Sequence, residues 1–149
     1  MSMWGDIAAA AVAESPVWAA SLRPSDERQP VAVFSPLVPE PLRLGLETIY
    51  EAYLVHYGRP RLFEAPDADE AVLLGDYLYA HGLVRIAEAG GVPAVSAMAA
   101  LIARCAAERA DGDGDDGGAW VDAARALGGD PDDGTVARAL ELHSGRVAA

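Results

Sequence analysis

Hydrophobic and polar positions alternate at helical spacing over most of this chain of 149 residues. The clearest stretch is 69–88, DEAVLLGDYLYAHGLVRIAE, which contains no proline and is long enough for about five helical turns. On a helical wheel its polar side chains form one narrow arc, and the broad apolar remainder predicts a helix that is covered on most sides. The members of the polar arc are Glu70, His81, Arg85 and Glu88.

One carboxylate and two glycines interrupt the apolar arc. Asp76 falls inside it, and an ionised carboxylate buried there needs polar partners. Gly75 and Gly82 both lower the helix propensity of the stretch, so we expect another backbone to come close to them. Together with Tyr79, these residues form a predicted motif of close helix packing.

The same spacing predicts an all-α fold, a helical bundle of about seven helices with two long central antiparallel helices. Pro41 opens the helix at 42–57 and Gly58 closes it. The Gly90–Gly91 connection predicts that the helices at 69–88 and 93–109 form an αα-hairpin. The remaining helices are predicted at 3–12, 17–22, 119–127 and 135–143.

The chain is expected to form a single α-helical domain, 1–149, with three consecutive parts. Residues 1–40 hold short helices and a proline-rich connector, 41–110 the central helices, and 111–149 an acidic loop and short C-terminal helices. The one β-like run, Val31–Phe34, has no partner strand, so we expect an extended connector there.

Two features of the helix at 42–57 are predicted from its pattern. Arg43, Glu47 and Glu51 lie opposite its apolar seam. His56 lies at the edge of that seam, where a structural, hydrogen-bonding role is expected.

Composition and charge narrow the function classes. The chain is 52% hydrophobic but only 7% aromatic, which favours helix. Its net charge is −12 and all 11 basic residues are arginine, a balance that argues against nucleic acid and anionic membranes as partners. The single cysteine, Cys105, allows no internal disulfide and fits a cytoplasmic protein. No long uncharged apolar run occurs, so no membrane span is expected.

Few residues in the sequence indicate a catalytic site or a site for a metal or phosphate. Asp111, Asp113 and Asp115 alternate as in a calcium loop, but Asp116 stands where that loop requires glycine, so a solvated acidic loop is predicted. No Cys/His metal spacing or phosphate-binding glycine loop is present. We therefore predict no catalytic residue, no metal ligand and no cofactor. Arg59 and Arg61 form the one basic cluster.

Residues 71–80, AVLLGDYLYA, followed by Leu83 and the sequence AEAGG, resemble the mid-chain helix of the trans-polyprenyl diphosphate synthases, AxLxGDxLLxxA. With a tyrosine directly after Gly75–Asp76, the stretch most resembles the corresponding helix in the small non-catalytic subunit of heterodimeric, heptaprenyl-type synthases. In catalytic members of that family the preceding helix carries a DDxxD motif that holds Mg²⁺ on the allylic diphosphate. The matching helix here, 42–57, contains no aspartate.

The resemblance implies an isoprenoid-synthase-like partial bundle and a non-catalytic role. The chain would bind a larger, DDxxD-bearing prenyltransferase subunit of isoprenoid or quinone side-chain biosynthesis, and Mg²⁺ would be needed only in that partner. Gly75, Asp76, Tyr79 and Gly82 would then pack against the partner, and Arg59 and Arg61 are the candidates for contact with a diphosphate. Two alternatives stay open: a free-standing α-helical interaction protein or homodimer with no enzymatic role, and a small independent terpenoid enzyme.

Overall fold

The computed structural model describes residues 2–112 and 116–147, and this part of the chain is built from helices. The α-helices are α1 (Met3–Glu14), α2 (Pro16–Ser21), α3 (Arg43–Tyr57), α4 (Ala68–Ala110), α5 (Gly117–Ala126) and α6 (Asp133–Val147). Single 3₁₀ turns occur at Ser25–Glu27, Ser35–Leu37 and Glu40–Leu42. The only β-type pairing within the described residues is an isolated bridge between Leu22 and Phe63. The predicted all-α fold is confirmed.

Helix α3 forms the centre of the molecule. Ten successive residues, 45–54, are buried, because α1, α4, α6 and the turns that precede α3 all pack against it. The stretch at 69–88, which the pattern marks as the most enclosed, is instead largely open on one side.

The long helix α4 changes direction at Gly91. This residue has φ 70° and ψ −164°, a backbone conformation that glycine adopts without strain. In a straight helix Tyr79 and Arg109 would be about 45 Å apart. Instead Tyr79 stacks on His56, and the guanidinium of Arg109 lies 5.6 Å from the ring centroid of the adjacent Tyr57. The chain therefore folds back between a first arm (68–90) and a second arm (92–110), as the predicted hairpin requires.

Two groups of buried apolar side chains hold the helices together. The larger group joins α3 to the second arm of α4, to α5 and to α6. The smaller one joins α1 to α3, to the first arm of α4 and to the loop that contains Leu62 and Phe63. Val33 and Phe34 are buried in the larger group, which confirms that the β-like run is a connector packed on the helices.

Candidate functional site

Close packing of α3 against the first arm of α4 accounts for both glycines of the predicted motif. A Cβ at Gly82 would lie 2.5 Å from Cγ1 of Ile49 and 3.2 Å from the carbonyl oxygen of Gly45. A Cβ at Gly75 would collide with the imidazole of His56. The expected approach of another backbone is thus met at Gly82, and helix α3 of the same chain supplies it.

Asp76 is not buried, so that prediction is wrong. Its side chain is 65% exposed, and its Oδ1 lies 3.5 Å from Nε2 of His56. Burial lowers the pKa of His56 even though Asp76 opposes the shift, so at neutral pH the imidazole is uncharged and this contact is not an ion pair. Tyr79 stacks on the same imidazole, with ring centroids 5.2 Å apart.

Part of the apolar arc around Asp76 is exposed, while Tyr79 and Ile86 of the same arc pack on α3. Leu73 is 58% exposed and Val84 54% exposed, and Ala80 and Ala87 are also exposed. With Asp76 these residues form a strip at spacings of three and four, which we call the outer face of α4. The prediction of a helix covered on most sides is therefore wrong for the chain alone.

The predicted polar arc of the same arm turns partly inward. Arg85 donates to the hydroxyl of Thr48 and to the carbonyl oxygen of Asp6, each at 3.3 Å. These bonds tie the first arm to α3 and to α1. Arg85 thus belongs to the internal contact, which is otherwise formed by buried apolar residues such as Leu78 and Ile86.

Arg61, Glu47 and Glu51 form a fully buried charge cluster. Arg61 donates from Nη1 to Glu47 at 2.5 Å and from Nε to Glu51 at 3.0 Å, and all three side chains have no exposed area. The two carboxylates raise the pKa of Arg61 above its usual value although burial alone would lower it. Trp4 and Tyr50 cover the guanidinium with their ring faces.

The carboxylates of this cluster also hold the backbone of two loops. Glu47 accepts from the amides of Val33 and Ser35, and Glu51 accepts from the amides of Arg61 and Leu62. Glu47 and Glu51 are thus buried although they lie opposite the apolar seam of α3, because these bonds and Arg61 compensate for their desolvation. Arg61 is consumed by the cluster and cannot contact a diphosphate. The sequence signal for its burial was the pair Leu62–Phe63 that follows it.

A second buried network surrounds Asp116 and was not predicted. The Asp116 carboxylate accepts from the hydroxyl of Tyr53 at 2.6 Å and from Nε of Arg109 at 3.4 Å. Nε2 of His143 lies 3.0 Å from Oδ1 of the same carboxylate, and Nδ1 lies 2.8 Å from the hydroxyl of Tyr50. The network joins α3, α4, α6 and the residue before α5.

The Asp116 network is built to hold one ionised carboxylate. Burial raises the pKa of Asp116, but the hydrogen bonds from His143 and Tyr53 and the charge of Arg109 outweigh it, and the net pKa lies below its usual value. Burial raises the pKa of Tyr50 and of Tyr53, so both phenols stay protonated. Because Asp116 and His143 are nearly inaccessible, the arrangement stabilises the fold.

The burial of Asp116 means that the prediction of a solvated acidic loop is wrong for the C-terminal residue of that loop. An acidic run gives no sign of a buried member, and the only signal is that Asp116 directly precedes an apolar helix. The calcium spacing depends on Asp113 and Asp115, which lie outside the described residues. Within 2–112 and 116–147, no group of three or more His, Cys, Asp or Glu side chains could hold a metal ion.

Arg59 and Cys105 lie at opposite extremes of exposure. Arg59 is exposed and lines a cleft with Arg138 and Arg146 of α6. Cys105 is 1% exposed, and burial, with the nearby carboxylates, raises its thiol pKa to about 12.

Among the described residues, α4 is the one helix that is long and apolar enough to cross a bilayer. Within its apolar 18-residue stretch, 22% of the residues are buried. The absence of a membrane span stays a prediction.

Searches of protein-family models, of curated proteins and of solved structures found no match to this chain. The resemblance to the trans-polyprenyl diphosphate synthases therefore rests on residues 71–80 and their neighbours.

Proposed function

We propose that this protein is a non-catalytic helical subunit that binds a larger, DDxxD-bearing polyprenyl diphosphate synthase through the outer face of α4. The observation that carries the proposal is the exposure of Leu73 and Val84 at 58% and 54%, in the helix whose sequence resembles that family. Contiguous exposed apolar surface is typical of a protein interaction site.

The spacing of the outer face suits a helical partner. Leu73, Asp76, Ala80, Val84 and Ala87 follow one another at intervals of three and four, the pattern of a helix that packs against another helix. The two alanines leave room for a partner helix to approach. Gly75 and Gly82 serve the internal contact with α3, so the residues that would meet the partner are those of the outer face.

Charge around the outer face favours a partner of different sequence over a second copy. Asp69, Asp76 and Glu88 are exposed on the first arm, while its arginine, Arg85, is directed inward to Thr48. Two copies would bring these carboxylates together, and each carries a net charge of −12. A partner with arginine or lysine beside an apolar stripe would be complementary.

Asp76 sets a requirement on the partner. Once docked it would lie within an apolar interface, where an unpaired carboxylate is costly. A donor on the partner opposite Asp76 would meet this cost and fix the register of the two helices, as a single polar residue does in coiled coils.

Co-purification tests the proposal. The tagged protein is co-expressed with the DDxxD-bearing synthase subunit of the same genome, and we expect a stable complex. Leu73→Asp and Val84→Asp should each abolish it, since they place a charge in the apolar strip. Val12→Asp is the matched control, because Val12 is a helical valine that is 49% exposed on α1.

Three results would overturn the proposal. The first is an isolated chain that forms no complex with that synthase. The second is a homodimer, measured by light scattering, that Leu73→Asp dissociates; this would establish the self-associating alternative. The third is sedimentation with lipid vesicles that Leu73→Asp prevents, which would assign the outer face to a membrane.

A further inference from the structure

Three arginines converge on one cleft at the end of the molecule where α6 finishes. Arg59 comes from the loop after α3, and Arg138 and Arg146 come from α6. Together with Gln29 they line a cleft of about 330 Å³. This is within the range of small-ligand sites.

The walls of the cleft are fixed by hydrogen bonds. The amide of Arg59 donates to the carbonyl oxygen of Arg146 at 2.9 Å, and Nη1 of Arg146 donates back to the carbonyl oxygen of Arg59 at 3.3 Å. Nη2 of Arg146 donates to Oε1 of Gln29 at 2.7 Å. The amide of Gln29 donates to the carbonyl oxygen of Arg61 at 3.0 Å, so the cleft is anchored to the buried charge cluster.

The positive charge in the cleft is not neutralised by the described residues. None of Arg59, Arg138 and Arg146 forms an ion pair with a carboxylate in 2–112 or 116–147, and Glu141 is the one carboxylate in the lining. Burial and the charges of Arg61 and Arg59 lower the pKa of Arg146. Three of the chain's 11 basic residues thus lie together in a strongly acidic protein, an arrangement whose positive charge a bound anion would neutralise.

We propose that this cleft binds a small multiply charged oxyanion of the phosphate class, such as inorganic phosphate, diphosphate or a phosphomonoester. The planar guanidinium groups match the paired oxygens of a phosphoryl group. The cleft is lined by Gln29, the loop after α3 and α6, and none of its lining residues belongs to the outer face of α4. The site can therefore be tested separately from the proposed partner.

Isothermal titration with sodium phosphate and with sodium diphosphate, at constant ionic strength in sodium chloride, tests the site. We expect both anions to bind, diphosphate more tightly because of its higher charge. Arg138→Gln should weaken binding at least tenfold, because Arg138 lines the cleft and makes no hydrogen bond to the described residues. Arg125→Gln is the matched control: it removes the same charge from an exposed helical position outside the cleft and should change affinity less than twofold.

Two results would overturn this proposal. One is the absence of binding heat and of thermal stabilisation by either anion at matched ionic strength. The other is an equal loss of affinity in Arg138→Gln and Arg125→Gln, which would show general attraction by positive charge. Arg138→Gln should leave the partner co-purification intact, so failure of this site and failure of the proposed function are distinguishable.

Discussion

Helix α3 carries two fully buried carboxylates at the centre of the molecule. The first arm of α4 packs directly against α3 and yet exposes a leucine and a valine. Glu47 and Glu51 have no exposed area, while Leu73 and Val84 are more than half exposed. The carboxylates can be buried because Arg61 and four backbone amides pair with them. The apolar residues of α4 have no such partner within the described chain. The buried charges therefore stabilise the fold, and the exposed apolar strip is left for the interaction proposed above.

The largest expected effect comes from removing the counter-charge at the centre. Arg61→Met leaves Glu47 and Glu51 buried without a cation, and breaking a buried pair in this way costs about 3–5 kcal/mol. Urea denaturation at pH 7 measures the loss in free energy of unfolding. The control Arg125→Met changes an exposed arginine and should stay within about 0.5 kcal/mol. A loss below about 1 kcal/mol for Arg61→Met would contradict the burial of the cluster.

Two adjacent leucines in the first arm of α4 sharpen the comparison. Leu74 is fully buried and Leu73 is 58% exposed. Leu74→Ala should cost about 2–5 kcal/mol through the cavity it creates, and Leu73→Ala should stay within about 0.5 kcal/mol in the isolated chain. Chemical denaturation of both variants gives the difference directly. Equal losses would mean that the outer face is covered within this chain.

The local pattern was sufficient to predict most of the helices. Proline and glycine mark their ends in the sequence, as at Pro41 and Gly58, and Gly91 marks the reversal of α4. The need for a small residue at Gly82 could also be predicted. Glycine inside a helix lowers the helix propensity, so its presence there indicates close packing. These features depend on neighbours in sequence.

The orientation of the helices could not be read from the same pattern. A helical wheel separates polar from apolar faces but does not say which face another element covers. Glu47 is buried because Arg61, which lies in a loop, reaches it. Asp116 is buried because His143 and Tyr53, from two other helices, supply its hydrogen bonds. Such long-range pairs leave no periodic signal, so the sequence pattern predicted neither buried network.

The Asp116 network makes a pH-dependent contribution to stability. Its lowered pKa means that the unfolded chain, with an ordinary Asp pKa of about 3.9, binds the proton first as pH falls. The contribution is therefore present above that pH and is lost as pH falls through the lower pKa of the folded state. Asp116→Asn should cost about 1–3 kcal/mol at pH 7, and its difference from the unmodified protein should shrink as the pH approaches 2.

Denaturant unfolding at several pH values between about 2 and 7 measures this difference across the titration of Asp116. The matched control is Asp122→Asn, which alters an exposed aspartate at the α4–α5 surface and should show a far smaller change. A pH-independent cost for Asp116→Asn would mean that folding does not shift the pKa of this carboxyl, and a cost that grows as the pH falls would mean that folding raises that pKa.

The smallest expected effect on stability is that of replacing Asp76, although the sequence pattern predicted a buried carboxylate there. Because its side chain is exposed, Asp76→Leu should change the free energy of unfolding by less than about 0.5 kcal/mol. Asp76 raises the pKa of His56 against the effect of burial, so its removal should lower that pKa further, which an NMR titration of the imidazole measures. A loss above about 1 kcal/mol in the isolated chain would require a buried partner for Asp76. If stability is unchanged but the complex with the synthase is weakened, the carboxylate acts across the interface, where a donor on the partner meets it.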